Sequence, residues 1–313
     1  MILCITPNPA IDLTMNVNGF SVGTIHRVTD SFAVAGGKGI NVARAIRIFK
    51  GDAPCAGFLA GRAGNYLEQL ANAEGIHGVW TRVSGETRTC VIVADPAQGD
   101  ATVINGLGPP VGDAEWQRLS DDVRVLAANA TQVCVSGSLP PALPENAPPA
   151  PFVRLLRELI AAGRNVWVDS SNAALRAALN VRGINIKVNA SELNAAAGLS
   201  AHSTEDVLAA AQTLRRERGL ARIAVTLGAA GAVLVSATGG WCARPPQLKT
   251  VSSVGSGDVM LGRLTHALAL GMSEGEALRE AVAAASANTL SAGGARFTLD
   301  EHARVLEQTQ LWN

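Results

Sequence analysis

The chain has no excess of charge of either sign: 26 Lys and Arg face 26 Asp and Glu, for a formal net charge of zero. That balance argues against a protein that holds nucleic acid or an anionic membrane through surplus positive charge. Any anion it binds must meet a local cluster of donors. Paired cysteines are also missing. Cys4, Cys55, Cys90, Cys134 and Cys242 are odd in number and far apart, with no C-x-x-C spacing, so neither a zinc site nor a redox motif is indicated. Buried free thiols in a reducing compartment are expected. No uncharged apolar run reaches the roughly 18 residues of a membrane helix with bilayer-like hydrophobicity. The nearest, residues 281–292, is alanine and serine with Asn288 inside it. Met1-Ile-Leu-Cys-Ile-Thr6 has no basic segment and meets a proline at once, unlike a signal peptide. A cytoplasmic protein is the expectation.

What is present is a chain of 313 residues, 48% hydrophobic and 17% charged, able to bury a sizeable core. Short apolar runs at Ile2–Ile5, Gln132–Val135, Asn165–Val168, Asn185–Val188 and Arg222–Thr226 read as buried strands. Between them, residues 113–128, 151–163, 190–197 and 204–218 have helical spacing, as in Val207, Ala211 and Leu214. This alternation predicts an α/β fold: a doubly wound, mostly parallel sheet with helices on both faces. Two stretches, residues 12–35 and about 84–108, instead alternate polar and apolar residues. They read as strand pairs (14–17, 27–32, 88–93 and 101–104) in a small sheet that could cover a site as a lid. The proline-rich residues 139–151 read as a surface loop, so residues 1–313 form one domain with the lid inserted in its body.

Two glycine-rich turns carry the chemical signal. In Val254-Gly-Ser-Gly-Asp258, Gly255 and Gly257 flank Ser256 just before an apolar-periodic run through Met260, Leu264 and Leu268. Backbone N–H groups exposed at the positive end of a helix suit a phosphoryl group. Asp258 in the first turn fits a reacting carboxylate and equally a plain helix cap. The second turn, Gly36-Gly-Lys-Gly-Ile-Asn41, also opens a helix, but lacks both the P-loop spacing and the dinucleotide fingerprint. A glycine hinge and a ligand contact are both compatible with it.

Taken in order, these segments resemble the ribokinase-like, or PfkB, family of carbohydrate kinases, in its phosphofructokinase and tagatose-phosphate kinase branch. The matching pieces are Thr6-Pro-Asn-Pro-Ala-Ile-Asp12, Gly36-Gly-Lys-Gly-Ile-Asn41, Thr87-Arg88, Ser136-Gly-Ser-Leu-Pro140, Asn189-Ala-Ser-Glu192, Thr226-Leu-Gly228 and Val254-Gly-Ser-Gly-Asp258. The resemblance implies a ribokinase-like fold with a β-lid and phosphoryl transfer from ATP with Mg2+. It makes Asp258 the base and the N–H groups of Gly255, Ser256 and Gly257 the anion hole. Asn189 and Glu192 would serve the metal, mostly through water. Lys187, Thr226, Gly228 and Gly231 would line the nucleotide, with Val282 and Ser286 at its base. Asp12, Gly37, Asn41 and Ser136 would hold the sugar. Arg27, Lys38 and Arg88 would take the phosphate it already carries.

The wording departs from the family's in four places. Lys187-Val-Asn189 lacks the usual central proline, and Ser256 replaces an alanine. Ala142 replaces a glycine, and Gly106-Leu-Gly108 lies near the expected substrate lid, which leaves the sugar's identity open. The preferred reaction is fructose 1-phosphate to fructose 1,6-bisphosphate. Alternatives are phosphorylation of fructose 6-phosphate or tagatose 6-phosphate, a kinase of an unphosphorylated sugar or nucleoside, and a silent nucleotide or sugar-phosphate binder. The lid's exposed edges suggest a homodimer.

Overall fold

The apolar runs form the middle of a ten-stranded sheet in a computed structural model that describes residues 1–28, 30–95, 100–198, 200–291 and 293–313. The chain begins with β1 (Ile2–Thr6), β2 (Ala10–Asn16), β3 (Ser31–Gly36), α1 (Lys38–Ile48), β4 (Cys55–Ala60), α2 (Gly61–Ala73) and β5 (Gly78–Val83). Next come β6 (Arg88–Asp95), β7 (Asp100–Asn105), β8 (Val111–Gly112), α3 (Asp113–Ala127), β9 (Gln132–Ser136), β10 (Ala142–Leu143) and α4 (Ala150–Ala161). Then follow β11 (Val166–Asp169), α5 (Asn172–Ala178), β12 (Asn185–Asn189), α6 (Ala190–Ala197), α7 (Thr204–Arg218) and β13 (Arg222–Thr226). The chain closes with β14 (Ala232–Val235), β15 (Gly240–Arg244), α8 (Ser256–Ala269), α9 (Glu274–Asn288), α10 (Leu299–Gln308) and β16 (Gln310–Trp312).

The large sheet runs β16-β15-β14-β13-β12-β11-β9-β1-β4-β5, parallel from β13 to β5 and antiparallel through β14, β15 and β16. Its central strands are buried on both faces, which is why they read as unbroken apolar runs. Leu3, Val133, Val168 and Ile186 face a layer that includes α3, α4 and α7. Cys4, Cys55, Cys134 and Ala224 face the opposite layer of α1, α8 and α9. All five cysteines are free and buried. The chemistry-bearing residues Thr6, Ser136, Asp169, Asn189 and Thr226 end their strands along the carboxyl edge, where open α/β sheets take ligands.

The four strands of residues 10–16, 31–36, 88–95 and 100–105 form a separate sheet in the order β3-β2-β6-β7. β2 pairs in parallel with β6 along its whole length, a long-range pairing between the two polar–apolar stretches. The third strand starts later than the reading of 27–32 expects. Asn16 closes the ladder through its side chain and backbone on Asp30, leaving Arg27 and Val28 in the connection. Residues 139–151 also differ from a plain loop. Ala142–Leu143 pairs with Val111–Gly112, and α4 already starts at Ala150 with Pro151 in its first turn, where no backbone N–H is required. Among the described residues, no helix is long and apolar enough to cross a membrane. Residues 281–288 of the alanine-rich stretch belong to α9, packed inside the protein.

Candidate active site

Asp258 sits in the first turn of α8 and is buried, at 6% exposure. Gly255 caps the helix with φ of 74°, a left-handed conformation in which a Cβ would also come within 2.6 Å of Gly294 Cα. Of the three N–H groups that the resemblance assigns to an anion hole, that of Ser256 is engaged within the turn, donating to Ser253 O at 3.2 Å. Those of Gly255 and Gly257 stand at the start of the helix, where orphan donors suit an anion. Asp258 is no simple cap, because Asn41 on α1 donates to its Oδ2 at 2.8 Å across 217 positions. Burial, then the neighbouring Asp169, push its carboxyl up to about 6, against the pull of Lys38, Lys187 and Asn41. Such a carboxyl is ionised near neutrality yet basic enough to accept a proton.

Behind Asp258 lies an ion cluster. Lys38 donates to Asp169 Oδ1 and Lys187 to Asp169 Oδ2, both at 2.7 Å, with Asp169 wholly buried. Burial opposes the charge of Asp169, but the two ammonium groups prevail and hold its carboxyl below the usual range. For Lys38, burial also works against the charge, and Asp169 and then Asp258 raise its pKa. A Cβ at Gly257 would stand 2.6 Å from Lys187 Nζ. Valine in place of proline between Lys187 and Asn189 lets β12 pair with β13 without a break, so Lys187 is held as a strand residue.

A cavity of about 960 Å³ opens from this cluster, walled by Lys38, Lys187, Thr226, Gly228, Gly231 and residues 255–258. Val282 and Ser286 line its far side. Asn189 and Glu192 line it too, and they cap α6 reciprocally: Glu192 N donates to Asn189 Oδ1, and Asn189 N to Glu192 Oε2. The capping box leaves Glu192 Oε1 outside these bonds. Among the described residues, no three His, Cys, Asp or Glu side chains converge on one point. The donor set fits an ion held chiefly by water and phosphate oxygens.

Asp12 is half-buried on β2, and Gly37 immediately precedes α1. Burial pushes the Asp12 carboxyl up to about 6, against the charges of Arg88 and Arg44. Arg88 donates to Asn8 O and Gly106 O, tying the β1–β2 turn to the glycine-rich 106–108 segment. Ser136 is buried at the end of β9, and among the described residues its hydroxyl has no hydrogen-bond partner. Of the three cations grouped by the resemblance, Lys38 pairs with Asp169 and lines the large cavity, Arg88 donates to backbone carbonyls, and Arg27 lies exposed before β3.

Three contributors escape the sequence reading. Asp169 ends an ordinary apolar strand, Val166-Trp-Val-Asp169, and no spacing links it to its two lysines. Asn288, fully buried in α9, donates to Val254 O and Ser256 Oγ and accepts from Arg296 N, bracing the glycine turn. Serine at 256 supplies an acceptor there that alanine would lack. Arg44 donates to Asn41 Oδ1 at 2.6 Å. Only the i, i+3 spacing of Lys38, Asn41 and Arg44 on one face of α1 hints at these contacts.

A buried carboxylate in the first turn of a glycine-led helix, with two lysines beside it in the wall of a large cavity, is an arrangement suited to phosphoryl transfer on a doubly wound sheet. The sequence profile described as pfkB family carbohydrate kinase matches residues 5–301, and the chain belongs to that family. It is 36% identical over 282 residues to a 1-phosphofructokinase of Escherichia coli (strain K12), covering 90% of this chain and 88% of the relative. A 1-phosphofructokinase of Xanthomonas campestris pv. campestris is 34% identical over 306 residues, covering 96% and 95%. The crystal structure of Escherichia coli phosphofructokinase-2 in complex with fructose-6-phosphate superposes with TM-score 0.89, at 30% identity and 98% coverage of each chain. The protein is accordingly a sugar kinase that transfers a phosphoryl group to a hydroxyl.

Proposed function

We propose that this chain phosphorylates fructose 1-phosphate to fructose 1,6-bisphosphate with ATP, using Asp258 as general base. The observation that carries the reading is Asp258 itself: buried, basic for a carboxyl, bonded to Asn41 and set in the wall of the large cavity beside residues 255–257. ATP would lie along that cavity, its base toward Val282 and Ser286 and its phosphates toward Lys187, Thr226 and residues 255–257. A sugar hydroxyl placed by Asp12, Gly37 and Asn41 gives its proton to Asp258. Its oxygen bonds to the γ-phosphorus while the bond to the β-phosphate oxygen breaks and ADP leaves. The backbone N–H groups of Gly255 and Gly257 and the two lysine ammonium groups offset the charge on the transferred group. Mg2+, held at Glu192 and Asn189 through water, would neutralise phosphate charge.

The substrate assignment is supported by the curated relatives named 1-phosphofructokinase. A 6-phosphofructokinase reading draws on the structural neighbour that holds fructose-6-phosphate, and tagatose 6-phosphate presents the same anion on nearly the same frame. We also propose that the four-stranded sheet closes over the sugar and pairs with a second copy through a face exposing Phe32 and Val103, which share one row of the ladder. The five free cysteines suit a cytoplasmic setting.

The test is ADP release with MgATP against fructose 1-phosphate, fructose 6-phosphate, tagatose 6-phosphate, fructose and ribose, ranked by kcat/KM. Preference for fructose 1-phosphate is expected. Turnover only with an unphosphorylated sugar would overturn the substrate class, and no turnover with any would favour a silent binder.

A further inference from the structure

We infer that Arg44, which does not line the nucleotide cavity, is a positioning residue that sets the orientation of the Asn41 amide and through it the catalytic carboxylate. This rests on the reading of Asp258 as base. The Asn41 side chain has one accepting and one donating end. Its Oδ1 accepts from Arg44 Nη1 at 2.6 Å, and its Nδ2 donates to Asp258 Oδ2 at 2.8 Å. A guanidinium can only donate, so Arg44 obliges the amide oxygen to face it and the NH2 to face the carboxylate. Rotation about the terminal bond of asparagine is otherwise soft. A half-turn would set Oδ1 against Asp258, acceptor against acceptor.

Arg44 is itself held on every side. Its Nε and Nη2 donate to the two oxygens of Glu74, just past α2, at 2.5 and 3.0 Å. Nη2 also donates to Ala35 O at 2.7 Å, and its side chain is 13% exposed. Ala35 lies at the end of β3, directly before the Gly36–Gly37 join between the small sheet and α1. One guanidinium thus grips the hinge of the four-stranded sheet and the partner of the base together. Sheet placement and base orientation are coupled through Arg44. A lysine could not reproduce this, because its ammonium cannot present planar donors to an amide, a carboxylate and a carbonyl at once.

The charged groups facing Asp258 are Lys38 from α1, Asp169 from β11 and Lys187 from β12, so loss of the Asn41 donor leaves those in place. The experiment compares kcat over about pH 5 to 9 for the unaltered enzyme, Arg44→Met, Arg44→Lys, Asn41→Ala and the Asn41→Ala/Arg44→Met double variant. Arg44→Met is expected to lower kcat about tenfold, the rate equivalent of one charge-assisted hydrogen bond. Its acid limb should move to higher pH, and Arg44→Lys should not restore the profile. The double variant should be no slower than Asn41→Ala, because Arg44 acts through Asn41. An unshifted limb, full rescue by lysine, or losses that multiply in the double variant would overturn the inference. If Arg44→Met fails to fold by circular dichroism, Arg44→Lys carries the same comparisons. Asp258→Ala is run alongside. If it retains turnover, the base assignment fails and this inference with it; if it is inactive while Arg44 variants behave normally, the inference alone fails.

Discussion

Lys187 donates to Asp169 Oδ2 at 2.7 Å between neighbouring parallel strands, with the lysine side chain 6% exposed and the aspartate 0%. Such a pair is maintained only if every charge has a partner, since removing one leaves another buried and unpaired. Lys38 takes the remaining oxygen, so one carboxylate anchors two ammonium groups at the mouth of the cavity.

Asp169→Asn is expected to destabilise the protein by about 3–5 kcal/mol, read as a lower urea midpoint at pH 7. Turnover should fall as well, because both lysines lose their anchor. The folded carboxyl lies below its ordinary value, so its contribution is present above about pH 4 and lost as pH falls through the folded pKa. The gap between the two midpoints should therefore narrow in acid. A constant gap down to low pH would contradict the ion-cluster account.

For Asp258, alanine or asparagine should lower kcat by at least about 100-fold while ATP binding persists. The base works ionised, so kcat/KM should fall with decreasing pH through about 6. Asp12 is also raised to about 6, and Asp12→Asn distinguishes the two: the limb should survive in that variant. Because the folded pKa of Asp258 is raised, its ionised form costs stability at neutral pH. Asp258→Asn should thus be at least as stable as the unaltered enzyme at pH 7, a thermal melt serving as the check.

Arg88→Ala should raise KM for the phosphosugar much more than KM for ATP. The side chain does not line the large cavity, and it joins the β1–β2 turn to residue 106. Equal effects on both constants, from initial-rate measurements, would remove Arg88 from the sugar side.

A fourth expectation concerns α8. Arg263 Nε and Nη2 donate to Glu280 Oε2 at 2.9 and 2.7 Å, and the guanidinium lies 4.2 Å over the Phe49 ring. Glu280 also meets His302 Nε2 at 3.2 Å. Burial opposes its charge, but His302 and Arg263 hold the carboxyl down to about 2. Glu280→Gln should lower Tm markedly, by the equivalent of about 3 kcal/mol, and leave kcat within about twofold at temperatures where it is folded. Since the folded pKa is depressed, this contribution is present above about pH 4 and lost as pH falls toward 2. A large fall in kcat without a change in Tm would mean that the cluster does more than hold α8 in place.

The sequence by itself determined the alternation of buried strands and amphipathic helices, the helix that begins at Ser256, and the acidic residue in its first turn. These depend on neighbours within a few positions: apolar period, capping residues and glycines at a helix start. Asn189 and Glu192 were grouped through the resemblance as metal residues, and the structure adds that they cap α6 reciprocally. The parallel pairing of β2 with β6, the antiparallel strands β14 to β16, and the different partners of Lys38 and Arg88 were decided by tertiary structure. So were Asp169 joining lysines 131 and 18 positions away, Asn288 under the glycine turn, and Asn41 reaching Asp258 across 217 positions. The physical reason is that a polar side chain at the end of an apolar strand looks the same in sequence whatever it faces. Only closing the chain sets its partners within hydrogen-bond reach, and those partners give the carboxylate at 258 a role beyond capping a helix.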